Sequence, residues 1–406
     1  MGLLWYNSKA FMTSSINRLI IAQVFRTLFF AGPIFTLFLL AKSLSLQQTL
    51  TLISVLMLSG MLFEIPTGVF ADKYGRKWSL VVGSFISVIG WFAWLYIDSF
   101  VGFLAVNVLF GLANAFWSGS DQALIYDELK IIGRETDAQK ILSRYGGVLT
   151  GTYAVAVFIG GLVASTHTLA IYYLLFKMTF IASIIGFLFT LTIKETKHTP
   201  RGDTAAHKEQ GALQQFTVGI KLLKNNKKLR KITIFSTITV SFALMELYQV
   251  YFSHAAVPAS WYGYALTISA ILIAVAKWNA YRLEQWFGVE KSMLIMSVLP
   301  ALFWVAMAIT IHPVAAILLF ILTDVVGNIR NPIIADYQNR HIEGRSRATV
   351  LSTISLLTNG YEVIMLPIIG WIADKNLSAA FLTVAALIIF GNIAFRIKAD
   401  DVFVVK

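Results

Sequence analysis

The stretch Gly68–Ser79, GVFADKYGRKWS, separates two long apolar runs with four charged residues, Asp72, Lys73, Arg76 and Lys77. So short an interruption in so apolar a chain raises the question of which solvent surrounds it. Charged residues make up 13% of the 406 residues, whereas a soluble protein carries about 25%. Mean hydropathy is +0.71. Since so few charges cannot cover a surface in water, we expect a lipid bilayer around most of the chain.

Apolar runs of about 20 residues are long enough to cross a bilayer as helices. The sequence therefore predicts an all-α integral membrane protein. The expected twelve transmembrane helices are 19–41, 48–71, 78–97, 101–127, 145–166, 169–193, 232–253, 260–281, 292–311, 313–338, 348–372 and 378–395. The N-terminal residues lack the basic start and the small-residue cleavage site of a signal peptide, so the first span is expected to direct insertion.

The net charge of +12 follows this topology. With the N-terminus inside, 27 of the 33 Lys and Arg residues fall in inner segments, two in outer loops (Lys42 and Lys375), and four within spans: Arg26, Lys177, Lys277 and Arg330. Excess positive charge marks the cytoplasmic side of a membrane protein. We therefore expect both termini in the cytoplasm, the inner (cytoplasmic) membrane as location, and no nucleic-acid partner.

One connection is long and polar, residues 194–231. It predicts a division into an N-terminal bundle (1–193), a cytoplasmic linker (194–231) and a C-terminal bundle (232–406). Within the linker, Leu213, Phe216, Ile220 and Leu223 recur at spacings of three and four, the pattern of an interfacial helix.

The two halves of the sequence resemble each other weakly. ADKYGRKWS follows the second span and EQWFGVEKS follows the eighth, so that Gly75 corresponds to Gly288. Parallel six-span repeats are typical of transporters that bind their substrate near the midplane between the halves.

The opening stretch resembles the Gly-x-x-x-Asp-(Arg/Lys)-x-Gly-Arg-(Arg/Lys) signature of the major facilitator superfamily, between its second and third spans. The matching residues are Gly68, Asp72, Lys73, Gly75, Arg76 and Lys77. The resemblance implies two six-helix bundles, a monomer, and alternating access of a central site. It also implies that this turn is a conformational latch, which docks against the opposite half in one access state.

Two elements depart from the drug-exporting members of that family. Those proteins carry an arginine in span 4, where this chain has Asn107, and a Gly-Pro-x-x-Gly-Gly element in span 5, where this chain has AVFIGG. Both departures weaken an assignment as a drug–proton antiporter. FEIPTG in span 2 and SGSDQALIYD at the end of span 4 resemble a bacterial branch of drug or metabolite exporters.

Charged side chains at bilayer depth are costly, about 2.5–3.5 kcal/mol each on insertion scales, and therefore mark candidate sites. A proton-coupled carrier needs a carboxylate that binds and releases protons in the membrane. The candidates are Glu64, Asp121, Asp324 and Glu362. Depth alone suggests pairing of Arg26 with Glu64 or Asp121, and of Arg330 with Asp324 or Glu362, so each charge has a structural role as its alternative.

A second set of residues is expected to bind substrate. An anionic group would be recognised by Arg26, Lys177 or Arg330. The remaining candidates are polar or aromatic residues of the spans that border the central cavity in this family: Glu246, Asn107, Tyr153, Tyr248 and Tyr361.

No Walker loop, His-Glu-x-x-His or cysteine cluster is found in the sequence, and there are no cysteines. We therefore expect no enzymatic activity, no cofactor and no metal site, and transport driven by a gradient. The first hypothesis is proton-coupled efflux of small amphipathic compounds, as in multidrug transporters. The alternative is a carrier for one metabolite or lipid, in either direction, that recognises an anionic group. A third hypothesis, outside the class of secondary transporters, is a membrane-embedded enzyme or a passive channel.

Overall fold

A computed structural model describes residues 14–166, 168–195, 216–342 and 346–402, and every regular element in these residues is helical. The helices of the first half, here called the N-half, are α1 (Ser14–Thr27), α2 (Phe35–Ala41), α3 (Leu46–Tyr74), α4 (Arg76–Trp94), α5 (Phe100–Trp117), α6 (Ser120–Ile131), α7 (Ala138–Val163) and α8 (Leu169–Leu191). Two short 3-10 helices, Gly32–Ile34 and Glu135–Asp137, precede α2 and α7. Residues 216–225 form α9.

The helices of the second half, the C-half, continue the series. They are α10 (Lys227–Ile238), α11 (Leu244–His254), α12 (Ser260–Trp278), α13 (Tyr281–Ile309), α14 (Pro313–Arg340), α15 (Arg347–Lys375), α16 (Leu377–Ala394) and α17 (Ala399–Val402). Since α10 begins at Lys227, the expected domain boundary at 231 lies inside a helix.

Eleven helical segments of the described residues are long and apolar enough to cross a membrane. The twelfth crossing is made of two shorter helices in series, α10 and α11, with a break over 239–243. The first and fourth crossings are also interrupted, between α1 and α2 and between α5 and α6. The all-α membrane fold expected from the sequence is thereby confirmed.

The break between α10 and α11 is stabilised by a buried arginine. Helix α10 ends at Ile238, and Ala243, the residue before α11, adopts a left-handed backbone (φ 64°) that an α-helix does not contain. Arg330 of α14 donates to the carbonyls of Ser236 and Thr239 and, at 3.0 Å, to the Thr239 hydroxyl. Because backbone carbonyls inside a bilayer must find internal donors, Arg330 makes the interruption possible.

The two halves repeat one turn in detail. Gly75 between α3 and α4 has φ 99° and ψ 155°, and Gly288 inside α13 has φ 72° and ψ 172°. Both are backbone conformations that residues with a Cβ rarely adopt. The weak sequence correspondence between these glycines is thus a correspondence of backbone geometry.

Contacts between the halves are found at the end of the molecule that carries the short loops around residues 42–45, 255–259 and 376, here called the distal end. The backbones of α7 and α12 touch there, since a Cβ on Gly161 would lie 2.5 Å from the Gly263 nitrogen. A Cβ on Gly370 of α15 would similarly lie 2.7 Å from the Cα of Gln47 on α3. We call this set of contacts the distal seal.

The opposite end, which carries the Gly75 turn and the described residues 192–195 and 216–231, is called the basic end. At the basic end, two of the helices that form the distal seal, α3 and α7, are bordered by open space. A Cβ added to Gly68 of α3, or to Gly146, Gly147 or Gly151 of α7, would meet nothing within 4 Å. The halves are therefore packed together at the distal end and splayed apart at the basic end.

Helix α9 lies at the basic end and packs on the C-half. Leu223 is buried with Leu229 of α10 and with Val350 and Ile354 of α15. The apolar face that the sequence assigns to a lipid interface is therefore partly covered by protein, while Phe216 stays exposed. Leu213, the first residue of that pattern, lies outside the described residues.

Candidate functional site

A cavity of about 480 Å³ lies between the two halves. Volumes of roughly 300–1,000 Å³ are typical of sites for small organic molecules. Its walls come mostly from helices of the N-half, and α11 and α12 of the C-half complete them. A site enclosed by both halves changes shape whenever the halves move relative to each other.

Aromatic side chains form one wall of the cavity. The ring centroids of Trp91 and Phe110 are 4.6 Å apart, those of Phe29 and Trp91 5.4 Å, and those of Phe35 and Trp94 5.4 Å. These spacings are within the range of favourable aromatic pairing. The wall is thus a preformed apolar surface suited to a flat ring.

Arg26, at the end of α1, is the cation of the cavity wall. It donates to Asn114 Oδ1 at 2.6 Å and to Gln23 Oε1 at 3.3 Å, and its guanidinium lies 4.8 Å from the centroid of Trp117. The expected pairing with Glu64 or Asp121 is not formed at ion-pair distance. Neutral oxygens and an aromatic face therefore fix the orientation of the guanidinium.

The C-half wall is built on α11. Gln249 links this helix to the N-half: its Oε1 accepts from the backbone nitrogens of Thr36 (2.8 Å) and Leu37 (3.2 Å), and its Nε2 donates to the Gly32 carbonyl (3.1 Å). Glu246, one turn earlier on α11, also lines the cavity. One polar side chain of the wall thereby holds the two halves together.

Two polar atoms of the wall are buried without a partner. Trp94 Nε1 and Tyr248 Oη make no hydrogen bond, although both residues are at least 98% buried. Most buried polar groups in proteins are hydrogen-bonded. Both residues belong to the cavity wall, but the two polar atoms themselves are covered by neighbouring protein atoms. Asn107 also lines the cavity, and its Nδ2 donates to the Phe103 carbonyl at 2.8 Å.

The four carboxylates expected to carry protons lie in different surroundings. Glu64 is exposed on α3. Asp121 on α6 accepts from Tyr145 Oη at 2.7 Å, and Asp324 on α14 accepts from Ser269 Oγ at 2.5 Å and Asn328 Nδ2 at 3.0 Å. Glu362 on α15 is half-buried and interacts electrostatically with Arg330. None of the four belongs to the cavity lining described here.

The expected substrate-binding residues are also divided by the structure. Arg26, Glu246, Asn107, Tyr153 and Tyr248 line the cavity. Lys177 is exposed on α8 and Arg330 is occupied by the helix break, so neither side chain contributes to the cavity wall. Tyr361 packs against Phe242 instead, with ring centroids 5.6 Å apart.

Arg76 and Lys77 of the latch motif are hydrogen-bonded to acidic residues of the N-half. Arg76 Nη2 donates to Asp72 at 2.9 Å, and Glu195, just after α8, accepts from the backbone nitrogens of Arg76 (2.9 Å) and Lys77 (3.0 Å). A carboxylate at a helix N-terminus is favourable for the helix dipole. The docking of this turn against the opposite half stays a prediction for another access state.

The sequence did not single out Gln249, Glu195, Trp91 or Trp94. Gln249 carried a readable signal, since it is an uncharged polar residue within the apolar run YQVYF. Glu195 lies in a polar segment, where nothing distinguishes it from its neighbours. The two tryptophans are hidden among many aromatic residues.

A multi-helix membrane fold with a cavity between two halves defines a transporter of small molecules, not an enzyme. The family model of the Major Facilitator Superfamily matches residues 19–360, and the chain belongs to that superfamily. The membership expected from the GVFADKYGRKWS motif is thereby confirmed.

Relatives and solved structures agree with this assignment. The chain is 24% identical over 389 residues to the uncharacterized MFS-type transporter YxaM of Bacillus subtilis (strain 168), which covers 91% of this chain and 93% of that protein. It is similar in fold to a mutant of the nucleoside transporter NupG, with a TM-score of 0.78, 16% identity, and 94% and 99% of the two chains covered. A mutant of the peptide transporter POT gives a TM-score of 0.74 at 12% identity, with 95% and 94% covered.

Proposed function

We propose that this chain is a proton-coupled secondary transporter that exports a small amphipathic compound by alternating access. The observation that carries the proposal is the cavity enclosed by both halves, with the distal seal on one side and splayed helices on the other. The excess of Lys and Arg at the basic end supports a cytoplasmic position for that end. On this assignment the described conformation is inward-facing, and the distal seal closes the external side of the inner membrane.

Alternating access is tested by locking the distal seal. Thr267 Oγ1 of α12 lies 3.4 Å from the carbonyl oxygen of Ala154 on α7, so the two positions are in contact across the halves. The chain has no cysteine, and the double variant Ala154→Cys/Thr267→Cys therefore carries a single thiol pair. We expect oxidation to stop the export of fluorescent amphipathic dyes from cells, and a reductant to restore it.

The matched controls are the two single-cysteine variants, which should export dye under both conditions. Full export by the disulfide-linked protein would refute alternating access at this seal. The experiment depends only on movement of the halves and not on the identity of the natural substrate.

Proton coupling is supported by the buried carboxylates of the spans and by the lack of an ATP-binding motif in the sequence. Asp121, Asp324 and Glu362 are the positions to test. An uncoupler should abolish export. Replacement of the coupling carboxylate by Asn or Gln should leave dye binding intact while removing the dependence on the proton gradient. Export that is insensitive to uncoupler, with dye binding intact, would refute the coupling.

One observation favours the second candidate function, a carrier that recognises an anionic group. Arg26 places an oriented guanidinium in the cavity wall. If transport follows a single anionic solute and fails in Arg26→Ala, while structurally unrelated dyes are not moved, the metabolite carrier replaces the multidrug exporter.

A further inference from the structure

Only two charged side chains belong to the cavity lining of the described residues, and they have opposite signs. Arg26 stands on α1 of the N-half and Glu246 on α11 of the C-half. Of the other charges within the spans, Lys177 and Glu64 are exposed, and Arg330 is bonded to backbone carbonyls. The charge pattern of the wall is therefore one cation on one half and one anion on the other.

Arg26 retains unused donors. A guanidinium has five N–H donors, and the hydrogen bonds to Gln23 and Asn114 use one each on Nη1 and Nη2. No carboxylate of the described residues forms an ion pair with it within 4.0 Å. A fixed guanidinium with free N–H groups suits a planar carboxylate or another oxyanion.

Glu246 is similarly open. Within the described part of the chain, no Lys or Arg forms an ion pair with its carboxylate and no other side chain donates a hydrogen bond to it. Its charged neighbour is another carboxylate, Glu362, with which it interacts electrostatically. Isolated charges away from water are unfavourable, so a cationic group in the cavity would be attracted to this position.

The N-half contributes an aromatic surface to the cavity wall. Trp91, Phe110 and Phe29 line the cavity, and their ring centroids are 4.6 Å (Trp91–Phe110) and 5.4 Å (Phe29–Trp91) apart. An uncharged flat group fits this surface because ring–ring contacts need no polar partner.

We propose that the transported compound is a small aromatic zwitterion, whose acidic group binds Arg26 and whose basic group binds Glu246. This proposal rests on the proposed transport function and names the substrate class of the same cavity. Because the two charges stand on different halves, only a ligand that carries both groups can link them. A molecule with one charge leaves the other protein charge without a partner.

The test uses purified full-length protein and probe compounds that differ only in charge. One set contains tryptophan (zwitterion), indole-3-propionate (anion), tryptamine (cation) and 3-methylindole (neutral); equivalent sets carry a phenyl or a naphthyl ring. Dissociation constants are obtained from concentration-dependent thermal shifts, because a ligand that binds the folded state raises its apparent melting temperature. On at least one ring, we expect the zwitterion to bind about tenfold or more tightly than its three partners.

Two variants separate the contacts. Arg26→Gln should reduce the affinity for the zwitterion to that for the cation, and Glu246→Gln should reduce it to that for the anion. Lys177→Gln and Glu64→Gln remove charges that do not line the cavity, and both should bind like the unmodified protein.

Equal affinity for charged and neutral forms on all three rings, or no binding of any probe, would overturn the zwitterion proposal. So would a preference for the zwitterion that survives both cavity variants. The oxidation experiment on Ala154→Cys/Thr267→Cys reports movement of the halves without these probes. Failure of the substrate class is thus distinguishable from failure of the transport function.

Discussion

The distal seal contains a contact whose removal should change the balance between access states. Asp374, at the end of α15, accepts hydrogen bonds from the backbone nitrogens of Leu46 (2.6 Å) and Gln47 (3.0 Å), the first residues of α3. The carboxylate of one half therefore caps a helix of the other half. The contact exists only while the distal end is closed, so Asp374→Ala should favour the state that is open at that end.

The magnitude follows from the chemistry and the exposure of the contact. Hydrogen bonds to a charged group contribute about 1.5–3 kcal/mol when they are shielded from water, and a charge at a helix N-terminus adds about 0.3–1 kcal/mol. Asp374 is exposed, so solvent reduces the sum to about 1 kcal/mol. Since about 1.4 kcal/mol is tenfold, the distal-open population should rise about fivefold. Asp374→Asn keeps an acceptor and should give a smaller increase.

The assay measures access to the cavity from the distal side. Ser183 lines the cavity and is 7% exposed, and Ser183→Cys introduces the only thiol of the chain with little change in volume. In intact cells, a membrane-impermeant maleimide should label this cysteine at a rate proportional to the distal-open population. The labelling rate should increase about fivefold when Asp374→Ala is added.

Asp98→Ala is the matched control. Asp98 is also an acidic residue of the distal surface, but it pairs with Lys42 inside the N-half. Its replacement should leave the labelling rate unchanged. The reasoning is refuted if Asp374→Ala, at normal expression and melting temperature, labels no faster than the parent, or if Asp98→Ala accelerates labelling to the same extent.

Three further outcomes follow from single contacts. Gln249→Ala leaves the backbone nitrogens at the N-terminus of α2 without an acceptor. It should therefore lower the apparent melting temperature and raise the distal labelling rate of the Ser183→Cys reporter. Gln249→Glu keeps the acceptor and should have a weaker effect. Arg330→Ala removes the donors to the carbonyls at the α10–α11 break and should destabilise the protein by several kcal/mol, with partial rescue by Arg330→Lys in thermal melts. Asp401 of the C-terminal tail has a lowered pKa, because the raising effect of partial burial is outweighed by hydrogen bonds from Lys231 and the Lys398 backbone. Its stabilisation is therefore complete above about pH 4 and is lost as the pH falls through the folded-state pKa, so the melting temperatures of the parent and Asp401→Asn should converge in acid.

Much of the fold could be predicted because the bilayer imposes simple rules. Length and hydropathy located eleven crossings, and the GVFADKYGRKWS motif identified the superfamily. The correspondence of Gly75 and Gly288 was visible in the sequence, because residues with a Cβ rarely adopt the combination of positive φ and extended ψ that both glycines have. The seventh crossing was located as a single span, since hydropathy averages over residues and cannot detect a break that one buried arginine stabilises.

The site was harder to predict, because a charged residue in an apolar run reveals its depth in the membrane but not the direction in which its side chain points. Arg26 and Lys177 are equivalent in a hydropathy profile, yet one faces the cavity and the other is exposed on α8. The direction of a helical side chain depends on the rotation of its helix, which is set by contacts such as Gly186 of α8 against the backbone of α1. Arg26 and Arg330 form no ion pair within 4.0 Å in the described residues, because neutral oxygens and backbone carbonyls, which a count of charges does not reveal, accept their hydrogen bonds, although Arg330 and Glu362 do interact electrostatically.

The latch motif and the Asp374 contact point to one device that is used at both ends. Helices α3 and α15 run in opposite directions, and each has an aspartate in its last turn: Asp72 at the basic end and Asp374 at the distal end. Asp374 caps the N-terminus of α3 in the described state. Because α3 and α15 are antiparallel neighbours, the end of α3 lies on the same side as the start of α15, and we expect Asp72 to cap the N-terminus of α15 when the basic end closes.

The two aspartates should therefore have opposite effects on one equilibrium. Asp72→Asn removes a contact of the distal-open state, so it should lower the distal labelling rate of the Ser183→Cys reporter, whereas Asp374→Ala raises it. Because Asp72 also accepts from Arg76 within the N-half, Arg76→Gln serves as the control for loss of that local pair. If Asp72→Asn accelerates distal labelling, or if Arg76→Gln alone accounts for its effect, the two carboxylates are not alternating caps.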